Sequence, residues 1–223
     1  MTKAAVAGAR QERTRDITVG PVGLDGMLAV PEASAGIVLF AHGSGSGRFS
    51  PRNNFVARAL REAGFATLLF DLLTEEEAQD RANVFDIPLL AERLSMATAW
   101  VKHDRETTAL PIGYFGASTG AAATLVAASS GAWPIGAIVS RGGRPDLASA
   151  ALRIVAAPTL LIVGGADTVV LDLNRAALAE LRCEKHLAVV PGATHLFEEP
   201  GALETVIDLA GNWFTSHLAK GTS

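Results

Sequence analysis

The chain has 223 residues, 49% hydrophobic and 19% charged, with a net charge of -4 and one cysteine. That length and composition describe an ordinary folded protein with a sizeable core, expected to form a single domain over residues 1–223. An acidic balance without a basic stripe excludes a nucleic-acid footprint, Cys183 alone excludes a disulfide framework or a multi-cysteine metal site, and no apolar run approaches the roughly 20 residues that span a bilayer.

The N-terminal stretch to Asp16 is rich in Ala and Arg but has no continuous apolar centre, so neither a signal peptide nor a membrane anchor is expected. A cytoplasmic chain whose first 15 or so residues fray is expected instead. Asp16–Val22 and Met27–Val30 alternate loosely around Gly23-Leu-Asp-Gly26. Asp-Gly is a turn signal, so an antiparallel hairpin at one edge of a sheet is predicted. Gly36–Ala41 is a continuous apolar run, the pattern of a strand covered on both faces, and it ends in His42-Gly-Ser-Gly-Ser-Gly-Arg48. Pro51–Ala63 has helical spacing, with Phe55, Val56, Ala59 and Leu60 on one face and Gly64 as its stop.

Phe65–Phe70 reads as a second buried strand, closed by Asp71. The polar excursion Leu72–Arg81 that follows suits the rim of a site, with Glu75–Glu77 read as a solvated face. Leu90, Leu94, Ala97 and Val101 mark a helix from Ile87, with Pro88 in its first turn. Ile112–Phe115 is a third buried strand, followed by Gly116-Ala-Ser-Thr-Gly120 and a small-residue helix over Ala121–Ala128. Further strands are predicted at Ile135–Ser140, Thr159–Val163 and Leu187–Val190. Helices are predicted up to Val155, over Leu173–Leu181 and over Leu203–Leu218.

Strands alternating with helices after an antiparallel start imply an α/β fold, with a mostly parallel central sheet, an antiparallel N-terminal hairpin and helices on both faces. Ligands of such sheets bind outside the carboxyl ends of the strands. His42, Asp71, Ser118, Arg141, Asp167 and His195 all follow strand ends, so the topology gathers them on one rim.

Glycines on both sides of Ser118 suit a turn too tight for Cβ atoms, one that pushes the hydroxyl outward. A serine hydroxyl is a weak nucleophile at neutral pH and needs a base within hydrogen-bond reach and a third group to orient that base. Ser118, then Asp167, then His195 is the chain order of nucleophile, acid and base in an α/β-hydrolase. Asp167 could instead cap the following helix, although Asp172 looks more like an N-cap. His103, His186 and His217 lie at helix ends or at a strand start away from the rim, and Glu198 and Glu199 are the fallback acids. For an oxyanion, the backbone N–H of Thr119 follows the nucleophile at a helix start. A second donor is expected from the glycine-rich loop, with Ser44 chosen over Gly43 or Gly45. His42 is read as a side chain that organises this loop.

Glycine-rich loops also hold phosphates, but Gly43-x-Gly45-x-Gly47-Arg48 matches neither G-x-G-x-x-G nor a P-loop, and no residue grouping has metal-ligand spacing. No cofactor and no metal are expected. Arg48, Arg52, Arg81, Arg141 and Arg144 all fall near the rim. Arg141 is the best candidate to bind a substrate carboxylate or phosphate; the alternative is that these arginines pair with Asp71, Asp80, Asp86 or Asp146 and hold the loops.

His42-Gly43, Gly116-Ala-Ser118-Thr-Gly120, Gly165-Ala-Asp167 and Gly192-Ala-Thr-His195 together resemble α/β-hydrolases of the dienelactone hydrolase family, over nearly the whole chain. The resemblance implies hydrolysis of an ester or lactone through an acyl-enzyme, with Ser118 as nucleophile, His195 as general base and then acid, and Asp167 as orienter. Dienelactone hydrolases proper carry cysteine in the elbow. Ser118 therefore implies a serine esterase branch acting on a small ester, lactone or thioester, with anionic substrates among those expected. Similar domains also occur joined to phosphoribosyltransferase domains. The competing reading is a catalytically silent hydrolase fold that serves as a small-molecule binding or assembly module.

Overall fold

The computed structural model describes residues 12–219. Eight strands form one sheet in the order β1-β2-β4-β3-β5-β6-β7-β8. In chain order they are β1 (Glu12–Val19), β2 (Leu24–Pro31), β3 (Ile37–Ala41), β4 (Ala66–Phe70), β5 (Ile112–Ala117), β6 (Ile135–Arg141), β7 (Thr159–Gly164) and β8 (Lys185–Val190). β2 runs antiparallel to β1 and β4, and every pairing from β4 through β8 is parallel.

The helices are α1 (Pro51–Glu62), α2 (Arg81–Val84), α3 (Ile87–His103), α4 (Thr119–Ser129), α5 (Thr168–Glu180) and α6 (Ala202–Leu218). No helix among the described residues is long and apolar enough to cross a membrane.

The five residues of β3 show how the sheet divides the core. Ile37, Leu39 and Ala41 join the cluster packed under α3 and α4, while Val38 and Phe40 join the cluster under α1 and α6. Because side chains alternate across a strand, a run that is apolar at every position buries both faces. Tyr114 carries a polar group into that interior, where its hydroxyl lies 2.6 Å from Thr98 Oγ1.

Four local expectations need correction. The hairpin turns at Gly20–Gly23, where the Gly23 N–H donates to the Gly20 carbonyl and both glycines have positive φ. Asp25 and Gly26 lie inside β2, because pairing with β4 through Gly26 extends the strand across the Asp-Gly signal. Of the segment expected to fray, residues up to 11 lie outside the described residues, whereas residues 12–15 belong to β1, where Arg13 and Arg15 pair with Glu106 and Asp104.

The buried face of α1 carries Asn53, Val56, Ala57 and Leu60, with Phe55 and Ala59 only half-buried. Glu77 is not a freely solvated charge: it accepts from Arg93 at 2.8 Å and from the Thr74 N–H at 3.0 Å, which ties the loop after β4 to α3. Glu75 and Glu76 are exposed.

Candidate active site

β5 ends in a tight turn at Ser118. Ser118 has φ 51 and ψ -120, outside the regions open to L-residues, a conformation that costs about 1–3 kcal/mol and has to be held by its surroundings. The flanking glycines are what make it attainable. A Cβ on Gly116 would lie 2.5 Å from Ala121 Cα, and one on Gly120 would overlap the Ala41 carbonyl oxygen.

Gly120→Ala should therefore destabilise the fold by about 1–3 kcal/mol, the usual cost of overpacking. In a domain of this size that is a fall in melting temperature of about 2–12 °C. A thermal melt that superimposes on the wild type would contradict this account of the turn. Ser149, in the 3₁₀ segment Pro145–Arg153, has nearly the same dihedrals (φ 48, ψ -122). It lines a groove with Asp146, Arg153 and Glu180 and no histidine, so backbone strain alone does not define a nucleophile.

The loops after β7 and β8 are stitched together by backbone. Gly165 N–H donates to the Val190 carbonyl at 2.8 Å and Ala166 N–H to the Ala193 carbonyl at 2.9 Å. Gly164 permits the approach, since a Cβ there would lie 2.6 Å from the Thr194 carbonyl oxygen. This brings two residues 28 apart in sequence into contact, with His195 Nδ1 and Asp167 Oδ2 2.7 Å apart.

Asp167 occupies the N-cap position of α5, yet its side chain makes no capping bond and is spent on His195. Asp172, expected as the N-cap, lies inside α5 because the helix starts five residues earlier than its apolar spacing suggested. It pairs on the surface with Arg175 at 3.0 Å. Neither fallback acid faces the imidazole: Glu198 pairs with Arg52 at 3.0 Å, and Glu199 accepts from Thr194 Oγ1 at 2.6 Å.

Ser118, His195, Arg141 and Ser44 line one cavity of about 200 Å³. Ser118 Oγ makes no hydrogen bond among the described residues, so His195 is in contact with Asp167 and not with Ser118. Ser44 and Thr119 line a neighbouring cavity of about 290 Å³ on the other side of the glycine-rich loop. Thr119 is the first residue of α4, and its N–H has no intrahelical acceptor.

The loop is held from beneath by His42, whose Nδ1 is 3.0 Å from the Gly43 carbonyl and whose Nε2 accepts the Leu72 N–H at 3.0 Å. Those partners require a proton on Nδ1 and none on Nε2. Burial lowers the His42 pKa from its ordinary 6.5, outweighing the Gly43 bond and the Asp71 charge, which raise it.

The unfolded chain takes up this proton as pH falls through about 6.5, and the folded chain resists it until lower pH. The stability that His42 contributes is therefore complete above about 6.5 and is lost as pH drops toward the folded value. Melting temperatures between pH 7.5 and 5.5 should fall more steeply for the wild type than for His42→Gln; parallel slopes would contradict this. Glu77, held below its ordinary value chiefly by the Thr74 N–H, acts at lower pH.

The rim arginines separate into two groups. Arg48 pairs with Asp71 and with Asp25, and Arg144 grips Asp146 through two bonds of 2.9 and 2.8 Å, so both hold loops. Arg81 lies over Phe85. Arg141 is different: only 8% exposed, with Nε and Nη1 unpartnered, it has no carboxylate partner among the described residues, and its guanidinium lies 5.9 Å from the Phe197 ring centroid. Burial, with Arg52 alongside, pushes its pKa down to about 10, so it stays charged at neutral pH. The pairing of Ala117 with Arg141 in the β5–β6 register sets it beside Ser118.

The apolar half of the larger cavity, formed by Leu72, Leu73, Val84 and Leu90, escaped sequence reading. Its one signal was the pair of leucines directly after Asp71 in an otherwise polar stretch. Among the described residues no group of three or more His, Cys, Asp or Glu side chains is arranged to hold a metal ion.

A solved dienelactone hydrolase from Anabaena variabilis is 54% identical to this chain, with a TM-score of 0.88 over 94% of this chain and 99% of that one. Est1E from Butyrivibrio proteoclasticus shares the fold at 16% identity, with a TM-score of 0.77 over 93% and 99% of the two chains. A Mycobacterium tuberculosis H37Rv protein named "Putative phosphoribosyl transferase" is 61% identical over 202 residues, which are 91% of this chain and 46% of that protein. The chain thus spans about half the length of the curated relatives it matches. The family model for dienelactone hydrolases matches residues 24–208, which include Ser118, Asp167, His195 and the glycine-rich loop. On that match and the close likeness to the Anabaena enzyme, this chain belongs to the dienelactone hydrolase family.

Proposed function

We propose that this chain is a serine hydrolase that cleaves a carboxylic ester, lactone or thioester through an acyl-enzyme. The observation that carries the reading is the 2.7 Å contact between His195 Nδ1 and Asp167 Oδ2 on the cavity that Ser118 lines. Asp167 accepts from Nδ1–H, which leaves Nε2 free to take the Ser118 proton as Oγ attacks the carbonyl carbon. The N–H groups of Ser44 and Thr119 donate to the resulting oxyanion, a contribution of about 2.7–4 kcal/mol per donor in enzymes of this kind. His195 then returns the proton to the leaving oxygen or sulfur, and water repeats the sequence on the acyl-enzyme. Arg141 is the substrate-contacting cation, and no cofactor takes part.

A fluorophosphonate probe tests the reading. Stoichiometric labelling at Ser118, abolished by His195→Ala, is the expected result. A folded wild-type protein that stays unlabelled would favour a silent fold acting as a binding or assembly module. The transferase name of the M. tuberculosis relatives belongs to proteins of which this chain covers less than half, and no phosphoribosyl transfer is proposed for it.

A further inference from the structure

Two cavities share the glycine-rich loop as a wall, the smaller lined by Ser118 and the larger by Thr119, and they differ in chemistry. The smaller holds Ser118 and His195 together with Arg141, the start of α1 at Ser50 and Asn53, and Arg52, whose Nη1 pairs with Glu198 at 3.0 Å while its Nε is unpartnered. Pro51 has no N–H and the Asn53 N–H is capped by Ser50 Oγ at 3.4 Å, so this twelve-residue helix brings to that end the Arg52 N–H and a partial positive charge. Arg141 is the independent sign of an anion: a guanidinium buried beyond nine-tenths, with two nitrogens lacking partners, is costly unless a negative group completes it. Asn53, 3% exposed with Oδ1 unpartnered, lies in the same turn.

The larger cavity has no arginine or lysine in its lining. Its lining includes Leu72, Leu73, Val84, Leu90 and Ala78, together with Glu75 and with Asp71 already paired to Arg48, so a hydrocarbon is favoured there and no cation is offered to an anion. His195 decides which half of an ester goes where. Its imidazolium must protonate the leaving oxygen, so the alcohol half lies in the cavity that His195 lines, and the acyl half takes the other.

We propose that the substrate is an open-chain ester with an apolar acyl group in the leucine-lined cavity and a carboxylate or phosphate on its alcohol half, bound by Arg141, Arg52 and the start of α1. This rests on the serine hydrolase reading above. Two cavities separated by a loop accommodate two halves that are not tethered to each other as they are in a small lactone.

The test compares kcat/KM for the hexanoyl ester of glycolate, its neutral glycolamide counterpart, the hexanoyl ester of ethylene glycol phosphate, ethyl hexanoate and ethyl hydrogen adipate, which carries its carboxylate on the acyl half. The glycolate or the phosphate ester should exceed the glycolamide ester by about tenfold or more, the effect of one charge-assisted hydrogen bond, and the better of the two identifies the anion. Ethyl hydrogen adipate should be cleaved more slowly than ethyl hexanoate.

Arg141→Gln and the more exposed Arg52→Gln should each bring the anionic-to-neutral ratio toward one, and Ala78→Trp should lower the preference for hexanoyl over acetyl esters. A preference for the adipate ester, or an anionic-to-neutral ratio that Arg52→Gln and a folded Arg141→Gln both leave unchanged, would overturn the proposal. Should no ester be hydrolysed, the hydrolase reading falls and calorimetry with inorganic phosphate judges the anion site separately. Binding by the wild type that weakens in Arg52→Gln supports it, and absent or unchanged binding overturns it.

Discussion

Ser118→Ala should lower kcat for ester hydrolysis by about 10⁶-fold, as loss of the nucleophile does in other Ser-His-Asp hydrolases. The change removes one oxygen that makes no hydrogen bond among the described residues and leaves the strained backbone in place, so the melting temperature should barely move. This combination distinguishes a nucleophile from a structural serine, whose loss would change stability and activity together. His195→Ala should cost about as much, because members of such a unit fail together. A loss of less than about tenfold in either variant, measured on folded protein with a chromogenic ester, would mean that the nucleophile and base lie elsewhere.

Asp167→Asn should lower kcat by about 10⁴-fold while sparing the fold. An asparagine amide that donates to His195 Nδ1 leaves the proton on Nε2, the atom that has to accept from Ser118, so the geometry survives with the wrong tautomer. The structure makes this variant informative, because Asp167 stands at the N-cap of α5 without capping it and its replacement forfeits no helix-terminal bond. A carboxylate that served only as a cap would show the reverse, a stability loss of about 1 kcal/mol with activity intact. Fluorophosphonate labelling rates for wild type and variant, beside their thermal melts, separate the two outcomes.

Much of the fold was legible because both faces of the sheet are covered, so β3, β4, β5 and β7 are buried at every position and, apart from Thr67, Tyr114 and Thr159, carry no polar side chain, which makes them stand out between amphipathic helices. The start of α5 was less legible. Thr168, Val169 and Val170 are poor helix formers, so apolar spacing pointed to a later start and made Asp172 look like the cap. The hairpin turn was misplaced because Asp25-Gly26 carries a strong local signal, which long-range pairing of β2 with β4 overrides. Glu77 looked like a solvated charge because its partner Arg93 lies 16 residues away on α3, beyond the reach of any local pattern.

At the site, the sequence alone determined the residue types and their order: a serine between glycines, an acid and a histidine, each after a strand. Strand ends in a parallel sheet converge whatever the loops between them do, which is why chain order could be read as proximity. Tertiary structure decided which side chains meet. It turned Asp167 toward His195 and away from its helix, gave Arg48, Arg52 and Arg144 carboxylate partners, and left Arg141 buried without one among the described residues. Arginines on a rim look alike in sequence; what separates them is burial and the presence or absence of a counter-charge, and both depend on contacts between segments far apart in the chain.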